Sequence, residues 1–294
     1  MLKKLFLLLI ILLILSAILT PFVYSGLLLI FDEVRWPYSR VYDRVILALL
    51  IVAVIIYRKK FNLKQTLSYF KGKNFVSSSK KFGIGFIITL IPVIFVVLYS
   101  VDIGSLVWKN ETNSYYLSKL LKLIPSLFVI SFMEELIFRA FIFRQLISSV
   151  GLKFAIILSS IFYTLAHFVA AVKTFVYDKF DIMAGFKYYS VVVNRVDNDL
   201  IFQFIVLFIV GIFLAYIFNK TKSIYICAGL HAGWIAGIKG AKYLTNISPD
   251  APTISSLAER YYLLELPATW VGILVSIGVG ILYVKLNCIS NNAK

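Results

Sequence analysis

Glu134 and Glu135 stand side by side within a long apolar stretch, whereas the other twelve of the fourteen acidic residues lie in loops or near the ends of such stretches. A carboxylate at bilayer depth is costly, roughly 2.5 to 3.5 kcal/mol on insertion scales, so it usually faces the protein interior, is paired and marks a working site. Arg139 follows Glu135 by four residues, the spacing at which an acid and a base meet on one helical face. Glu134 is rotated about 100° away and has no such partner on its own helix. A buried carboxyl with no cation beside it on its helix is suited to taking up and releasing a proton. The plainer alternative is a structural Glu/Arg pair that only fixes helix packing.

Histidine favours chemistry. The chain has two, His167 and His231, and both fall in apolar stretches. A lone buried histidine is commonly a packing residue, but two out of two, with none in a loop, points to a shared task. The stretches holding Glu134 and His167 read as an antiparallel hairpin turning near Val150 and Gly151. Glu134 precedes that turn by about as many residues as His167 follows it, so equal rise per residue sets both at one depth. Counted from Lys222, His231 lies about nine positions into its helix, roughly 13 Å, and Glu134 about ten from Arg144, roughly 15 Å. Three helices are thus expected to deliver Glu134, His167 and His231 to one layer. A carboxylate beside an imidazole suits water activation, and a second imidazole suits donation to a developing oxyanion.

The elements that must hold these residues are membrane helices. Of 294 residues, 61% are hydrophobic and 15% charged, an apolar excess that no soluble core could hide. Runs long enough to cross a bilayer are expected near Leu5 to Leu29, Val45 to Tyr57, Phe82 to Ser100, Leu117 to Gln145, Lys153 to Val172, Leu200 to Phe218, Ile224 to Gly240 and Thr269 to Tyr283. The fold class is therefore all-α, a polytopic membrane bundle of about eight transmembrane helices. The second span could begin as early as Val41. The first reads as an uncleaved anchor, since its apolar run continues past Pro21 to Phe31. No internal repeat is visible, and a single integrated membrane domain is expected, with 1–116 supplying N-terminal helices and a basic loop and 117–286 supplying the chemistry.

The net charge of +16 reports topology and not nucleic acid, because the basic residues cluster at span ends. Arg58, Lys59, Lys60, Lys64, Lys71, Lys73, Lys80 and Lys81 follow the second span without one acidic residue. The positive-inside rule puts that loop in the cytoplasm. Lys3, Lys4, Lys153, Lys220, Lys222, Lys285 and Lys294 then share its side, which gives a multi-pass protein of the cell membrane with both termini cytoplasmic. The segment Val172 to Asp199 is balanced in charge and is expected outside. Cys227 and Cys288 sit in apolar runs without metal-ligand spacing and read as small core hydrophobes.

Between about Leu117 and Gly240 the chain resembles the CPBP intramembrane proteases, the group that includes CaaX prenyl endopeptidases and bacteriocin-processing or immunity proteins. Two glutamates followed after three residues by arginine stand as Glu134, Glu135 and Arg139. An aromatic four residues before a histidine appears as Tyr163 and His167, with tyrosine where the family usually has phenylalanine. A histidine followed four positions later by asparagine or aspartate is met in part, by His231, with Ile235 in the fourth position. The resemblance implies Glu134 as general base, His167 as its partner in orienting water and His231 as an oxyanion donor. Trp234, or a backbone group, could replace the amide missing at Ile235, although an aromatic packing role suits Trp234 as well. Tyr163 is a packing aromatic whose hydroxyl is within reach of His167 one turn away.

No cofactor is expected. Two histidines and a glutamate match a zinc set in type, so zinc stays open, but they come from three helices and lack the His-x-x-x-His pairing of soluble zinc proteases. The resemblance favours a glutamate mechanism without metal. The leading expectation is an endopeptidase acting on a membrane-associated peptide or protein within the lipid bilayer, with no nucleic acid involved. Its rivals are a weak or inactive relative acting in bacteriocin self-immunity or regulation, and a transporter using Glu134 as a proton relay. The transporter calls for repeated halves that this sequence does not show.

Overall fold

The computed structural model describes residues 2–31, 34, 36–57, 59, 64, 68–69, 74–169, 175–194, 198–251 and 262–292. Along the chain run α1 (Leu2–Ile30), α2 (Tyr38–Ile56), α3 (Phe75–Asp102), β1 (Leu106–Trp108), α4 (Asn113–Glu135), a π-helical segment (Leu136–Phe143), α5 (Arg144–Val169), α6 (Ala184–Asn194), α7 (Asn198–Thr221), α8 (Ile224–Leu244), β2 (Thr245–Ile247), a 3₁₀ turn (Tyr262–Glu265) and α9 (Pro267–Asn292). Asn74 caps α3 by accepting from the Ser77 amide at 2.7 Å, and Thr112 caps α4 by accepting from Tyr115 at 3.3 Å. Gly151 sits at φ +77° and breaks the helical path inside α5, at the place where the sequence calls for a turn. Glycine alone adopts that backbone without strain.

The chain is a helical, multi-pass membrane protein. Among the described residues, five stretches are long and apolar enough to span a bilayer: Phe6–Ile30, Phe75–Asp102, Asn113–Phe168, Gln203–Thr221 and Pro267–Leu286. The expected fourth and fifth spans both fall in the third of these. The expected second and seventh spans are helices too, α2 and α8, but Arg40, Asp43 and Arg44 in α2, and the glycines, histidine and lysines of α8, dilute their hydropathy. Three features depart from the sequence reading. The segment expected as an outside loop contains α6, the helix after Glu135 turns π-helical, and β1 pairs antiparallel with β2 in the register Leu106↔Ile247 and Trp108↔Thr245. That ladder is a short addition to an otherwise helical architecture. Arg58, Lys60, Lys71 and Lys73 of the basic loop, with Ala170 to Val172, Arg195, Asp197 and Lys294, lie outside the described residues.

Two compact units make up the chain, one from Met1–Thr66 with Phe143–Phe208, the other from Leu67–Ile142 with Ile209–Lys294. In the first, α1 packs against α2 and α6. Its core is a tyrosine cluster, Tyr24, Tyr38, Tyr42, Tyr177 and Tyr188, all buried. The hydroxyls that this burial must satisfy are tied largely to α1. Tyr42 bonds Ser16 Oγ at 2.6 Å and the hydroxyl of Tyr189, Tyr189 donates to the Leu13 carbonyl at 2.8 Å, and Tyr177 meets Ser25 Oγ at 2.8 Å.

In the second unit α8 is the axis, packed against both α3 and α4, while α9 lies on α3. Gly229, Gly233 and Gly237 recur every fourth residue and face Phe82, then Phe86 and Thr89, then Val93. The order shows that α3 and α8 run parallel. Cβ atoms at Gly229 or Gly233 would collide with α3 backbone, and one at Gly85 would come within 2.5 Å of the Ile226 carbonyl oxygen. Small residues on both sides let the two backbones touch, the means by which membrane helices associate where lipid removes the hydrophobic drive. Thr89 adds a bond across the seam, donating to the Leu230 carbonyl at 2.8 Å. Further along α3, a cavity of about 940 Å³ is walled by apolar residues of α3 and α9, among them Ile88, Pro92, Val96, Val271 and Val275.

Gly233→Leu should therefore separate α3 from α8 and destabilise the protein by about 1–3 kcal/mol. Thermal unfolding in detergent checks it against Gly83→Leu, where a Cβ meets nothing within 4 Å and the transition should barely move.

Candidate active site

Glu135 closes α4, and the chain continues directly into the π-helical segment that carries Arg139. Such segments are rare and frequently found at functional sites. Glu135 Oε2 lies 3.2 Å from Arg139 Nε, and both side chains are 0% exposed. Glu135 Oε1 in turn meets His231 Nδ1 of α8 at 3.1 Å. A carboxylate held by a guanidinium is an acceptor, so Nδ1 is the donor in that bond. The tautomer follows: Nε2 is the nitrogen turned toward Glu134, whose Oε2 stands 3.7 Å away.

Two neighbouring glutamates thus have different settings. Glu135 is sealed between a guanidinium and an imidazole. The side chain of Glu134 keeps 27% of its surface exposed and approaches His231 beyond hydrogen-bonding distance. The expected pairing of Glu135 with Arg139 is present, and Glu134 faces an imidazole from α8. The second unit therefore brings together Glu134, Glu135, Arg139 and His231.

Trp234 follows one turn after His231 and is 5% exposed, its ring edge-on to Phe213 at 5.8 Å. Its Nε1 has no hydrogen-bond partner among the described residues. Leaving such a donor unsatisfied costs about 1–3 kcal/mol, which makes it a group in want of an acceptor. Ile235 packs against Leu123, Leu127 and Ala232, so apolar neighbours surround the position where the resembling family places an amide or carboxylate. His167 and Tyr163 lie on α5 in the first unit. His167 Nδ1 donates to the Tyr163 carbonyl at 2.8 Å, and the two rings are 4.4 Å apart. The backbone carbonyl of Tyr163, as well as its ring, thus positions His167, a contact that side-chain spacing did not reveal. The bond leaves Nε2 as the acceptor nitrogen of the neutral ring.

Among the described residues no three His, Cys, Asp or Glu side chains are grouped so as to hold a metal ion. Arg139 puts a fixed positive charge on Glu135, and His231 Nδ1 is committed to the same carboxylate. Cys227 is buried, with Sγ 3.8 Å from the Leu214 carbonyl. The apolar cavity at α3 and α9 is lined by none of the chemistry-bearing residues.

The ion pair gives a direct expectation. Glu135→Gln leaves the Arg139 guanidinium buried beside a neutral amide, and breaking a buried pair from one side costs about 3–5 kcal/mol. Denaturant or thermal unfolding should show that loss for Glu135→Gln and only a small change for Glu134→Gln.

Comparison with curated proteins found no match, and comparison with solved structures found none either. One family model matches, described as Type II CAAX prenyl endopeptidase Rce1-like, over residues 116–236. The matched stretch runs from Tyr116 in α4 to Ala236 in α8 and takes in both glutamates, Arg139, both histidines, Trp234 and Ile235. Over residues 116–236 this chain is thus similar to the Rce1-like CAAX prenyl endopeptidases, which supports the resemblance to the CPBP and CAAX proteases.

Proposed function

We propose that this protein is an intramembrane endopeptidase that hydrolyses a peptide bond of a membrane-associated peptide or protein, with Glu134 activating the water. The observation that carries this reading is the unequal setting of the two glutamates. Glu135 is neutralised by Arg139 and buried, while Glu134 is partly open and faces His231 Nε2. A base must be able to reach water and accept its proton, and the partly open setting of Glu134 supports that role better than the sealed setting of Glu135.

In the proposed reaction Glu134 takes a proton from water as the oxygen adds to the peptide carbonyl carbon. The negative charge that develops on the carbonyl oxygen meets donors: His231 from Nε2 in its doubly protonated form, and Trp234 from Nε1. The proton held by Glu134 then passes to the leaving nitrogen, the C–N bond breaks, and a carboxylate and an amine result. His167, its Nδ1 engaged by the Tyr163 carbonyl, orients the water through Nε2. No step passes through a metal. The proposal includes convergence of His167 on Glu134 and His231, eight spans with both termini cytoplasmic, a site reached from the side of the basic loop, and a catalytic portion over 117–286.

Glu134→Gln keeps size and hydrogen bonding but removes the base, and cleavage of membrane-tethered peptides should fall by at least 100-fold on the scale of general-base loss. The assay uses the full chain in liposomes, with unfolding recorded in parallel. Substantial turnover by a stable Gln variant would sink the assignment of Glu134 as base.

A second reading, a weak or inactive relative in a regulatory or immunity role, is favoured by the apolar surroundings of Ile235. Losing one oxyanion donor costs on the order of 100- to 1000-fold in rate. Ile235→Asn separates the two. Faster cleavage at similar stability supports the protease, whereas absence of cleavage in both proteins, with the variant destabilised by a stranded amide, supports the second reading.

A further inference from the structure

The cavity of about 940 Å³ is walled by α3 and α9, which both belong to bilayer-length apolar stretches. Ile87, Ile91 and Phe95 of α3 and Val271, Val275 and Val279 of α9 stand along it and are exposed, so it opens sideways to lipid. No charged residue lines it. Its hydroxyls belong to Tyr99, Ser100 and Ser105, all at the finishing end of α3 or just past it. From Ile87 to Ser100 the helix rises roughly 20 Å.

Ser100 is 1% exposed, and its Oγ has no hydrogen-bond partner among the described residues. Other buried hydroxyls of the same unit are bonded: Thr89 donates to the Leu230 carbonyl at 2.8 Å, Ser131 to that of Leu127 at 2.6 Å and Ser276 to that of Gly272 at 2.8 Å. A buried hydroxyl left unmatched is costly, and this one swings on a single torsion at the wall of a cavity. It calls for an acceptor, and an uncharged one, since no cation in the lining would balance an anion. Depth identifies it. Ser100 precedes Asp102, the charged end of α3, by roughly 3 Å of rise, which is the level where hydrocarbon gives way to the polar layer. The ester carbonyls of glycerolipids lie there, with their chains running inward. Below Ser100 the apolar wall is long enough to cover one leaflet of hydrocarbon, about 15 Å. A partner's transmembrane helix is too thick, because 20 Å of a helix 10–12 Å across occupies about 1,600–2,300 Å³.

We infer that the cavity walled by α3 and α9 binds a diacyl glycerolipid, with Ser100 Oγ donating to an ester carbonyl and the acyl chains lying along the isoleucines and valines of the two helices. The chains restore the dispersion contacts that a void forfeits. With no charge in the lining, the headgroup is not selected. Neither Glu134 nor His231 lines the cavity, and lipid binding there is independent of peptide cleavage.

The test uses the full-length protein, delipidated in neutral detergent and titrated with two phosphatidylethanolamines of identical chains, one ester-linked and one ether-linked. Native mass spectrometry reads retention, and thermal shift reads the stabilisation that binding confers. Wild type should retain one ester-linked lipid about fivefold more tightly than the ether-linked one, the scale of a single neutral hydrogen bond. Phosphatidylglycerol with the same ester chains should match it at low and high salt. Ser100→Ala should lose the ester preference while unfolding at an unchanged temperature in the absence of lipid. Val275→Trp, which fills the cavity, should weaken retention of both lipids at least tenfold, and Val271→Trp should do the same if the first variant fails to fold. Leu274→Trp, exposed on the same helix but outside the lining, should leave retention intact. Equal retention of ester and ether lipids by wild type, an ester preference that survives Ser100→Ala, or strong headgroup selection overturns the site. Retention unaffected by a folded tryptophan variant overturns the cavity as its place. A dimer that Val275→Trp breaks and that lipid does not displace overturns the lipid in favour of a second copy of the chain.

Discussion

The Glu135 carboxylate, held by Arg139 on one side and His231 on the other, with neither Glu135 nor Arg139 exposed, is the contact on which the second unit depends. A buried ion pair earns little net stability when whole but fixes geometry, because each partner alone would be intolerable in an apolar interior. It joins the end of α4 and the π-helical segment to the middle of α8. That one bond sets the tautomer of His231 and thereby aims its other nitrogen at Glu134. Adjacent residues of the same type thus acquire opposite duties, one structural and one available for chemistry, through the identity of their neighbours.

The α3–α8 seam does the complementary work. Ion pairing fixes α8 against α4, while close backbone contact at Gly85, Gly229 and Gly233, tied by Thr89, fixes it against α3. Directional bonds on one face and shape on the other leave α8 little freedom to rotate, so His231 is held in orientation as well as depth. The same helix carries Trp234 and Ile235 one turn further on, and their contrasting contents, an unsatisfied donor and a packed hydrocarbon, are the local features that bear most on catalytic power.

Much of this was legible in the sequence because membrane burial makes polar residues conspicuous. Glu134, Glu135, Arg139, His167 and His231 stand out against an apolar background, and the spacing of Glu135 and Arg139 correctly foretold their pairing. The bond from His231 to Glu135 was not foreseen, since it joins residues 96 positions apart and helix periodicity carries no information about which faces meet. The fourfold spacing of Gly229, Gly233 and Gly237 was available and is the signal that could have paired α8 with α3. The count of apolar segments overstated uniformity, as α2 and α8 owe their helicity to packing as well as to hydropathy. The helix α6 was hidden by its balanced charges, and the π-helical segment has no side-chain signature comparable to a proline or glycine.

The interleaving of the two units along the chain gives folding a timetable. The first unit begins at the amino terminus, is interrupted after Thr66 and resumes only at Phe143. Gly185 of α6 lies against the backbone of Ala17, so α1 acquires that neighbour only after 168 further residues have been made. At about 5–20 residues per second, α1 waits roughly eight to thirty seconds for it. Likewise α3 enters the membrane well before α8, its principal partner, exists. During that interval the glycine-lined groove of α3 and the serine and tyrosine hydroxyls of α1 and α2 must be satisfied by lipid, water or the insertion machinery. For this chain, a slow or interrupted translation between residues 143 and 244 would prolong the most vulnerable period of its assembly.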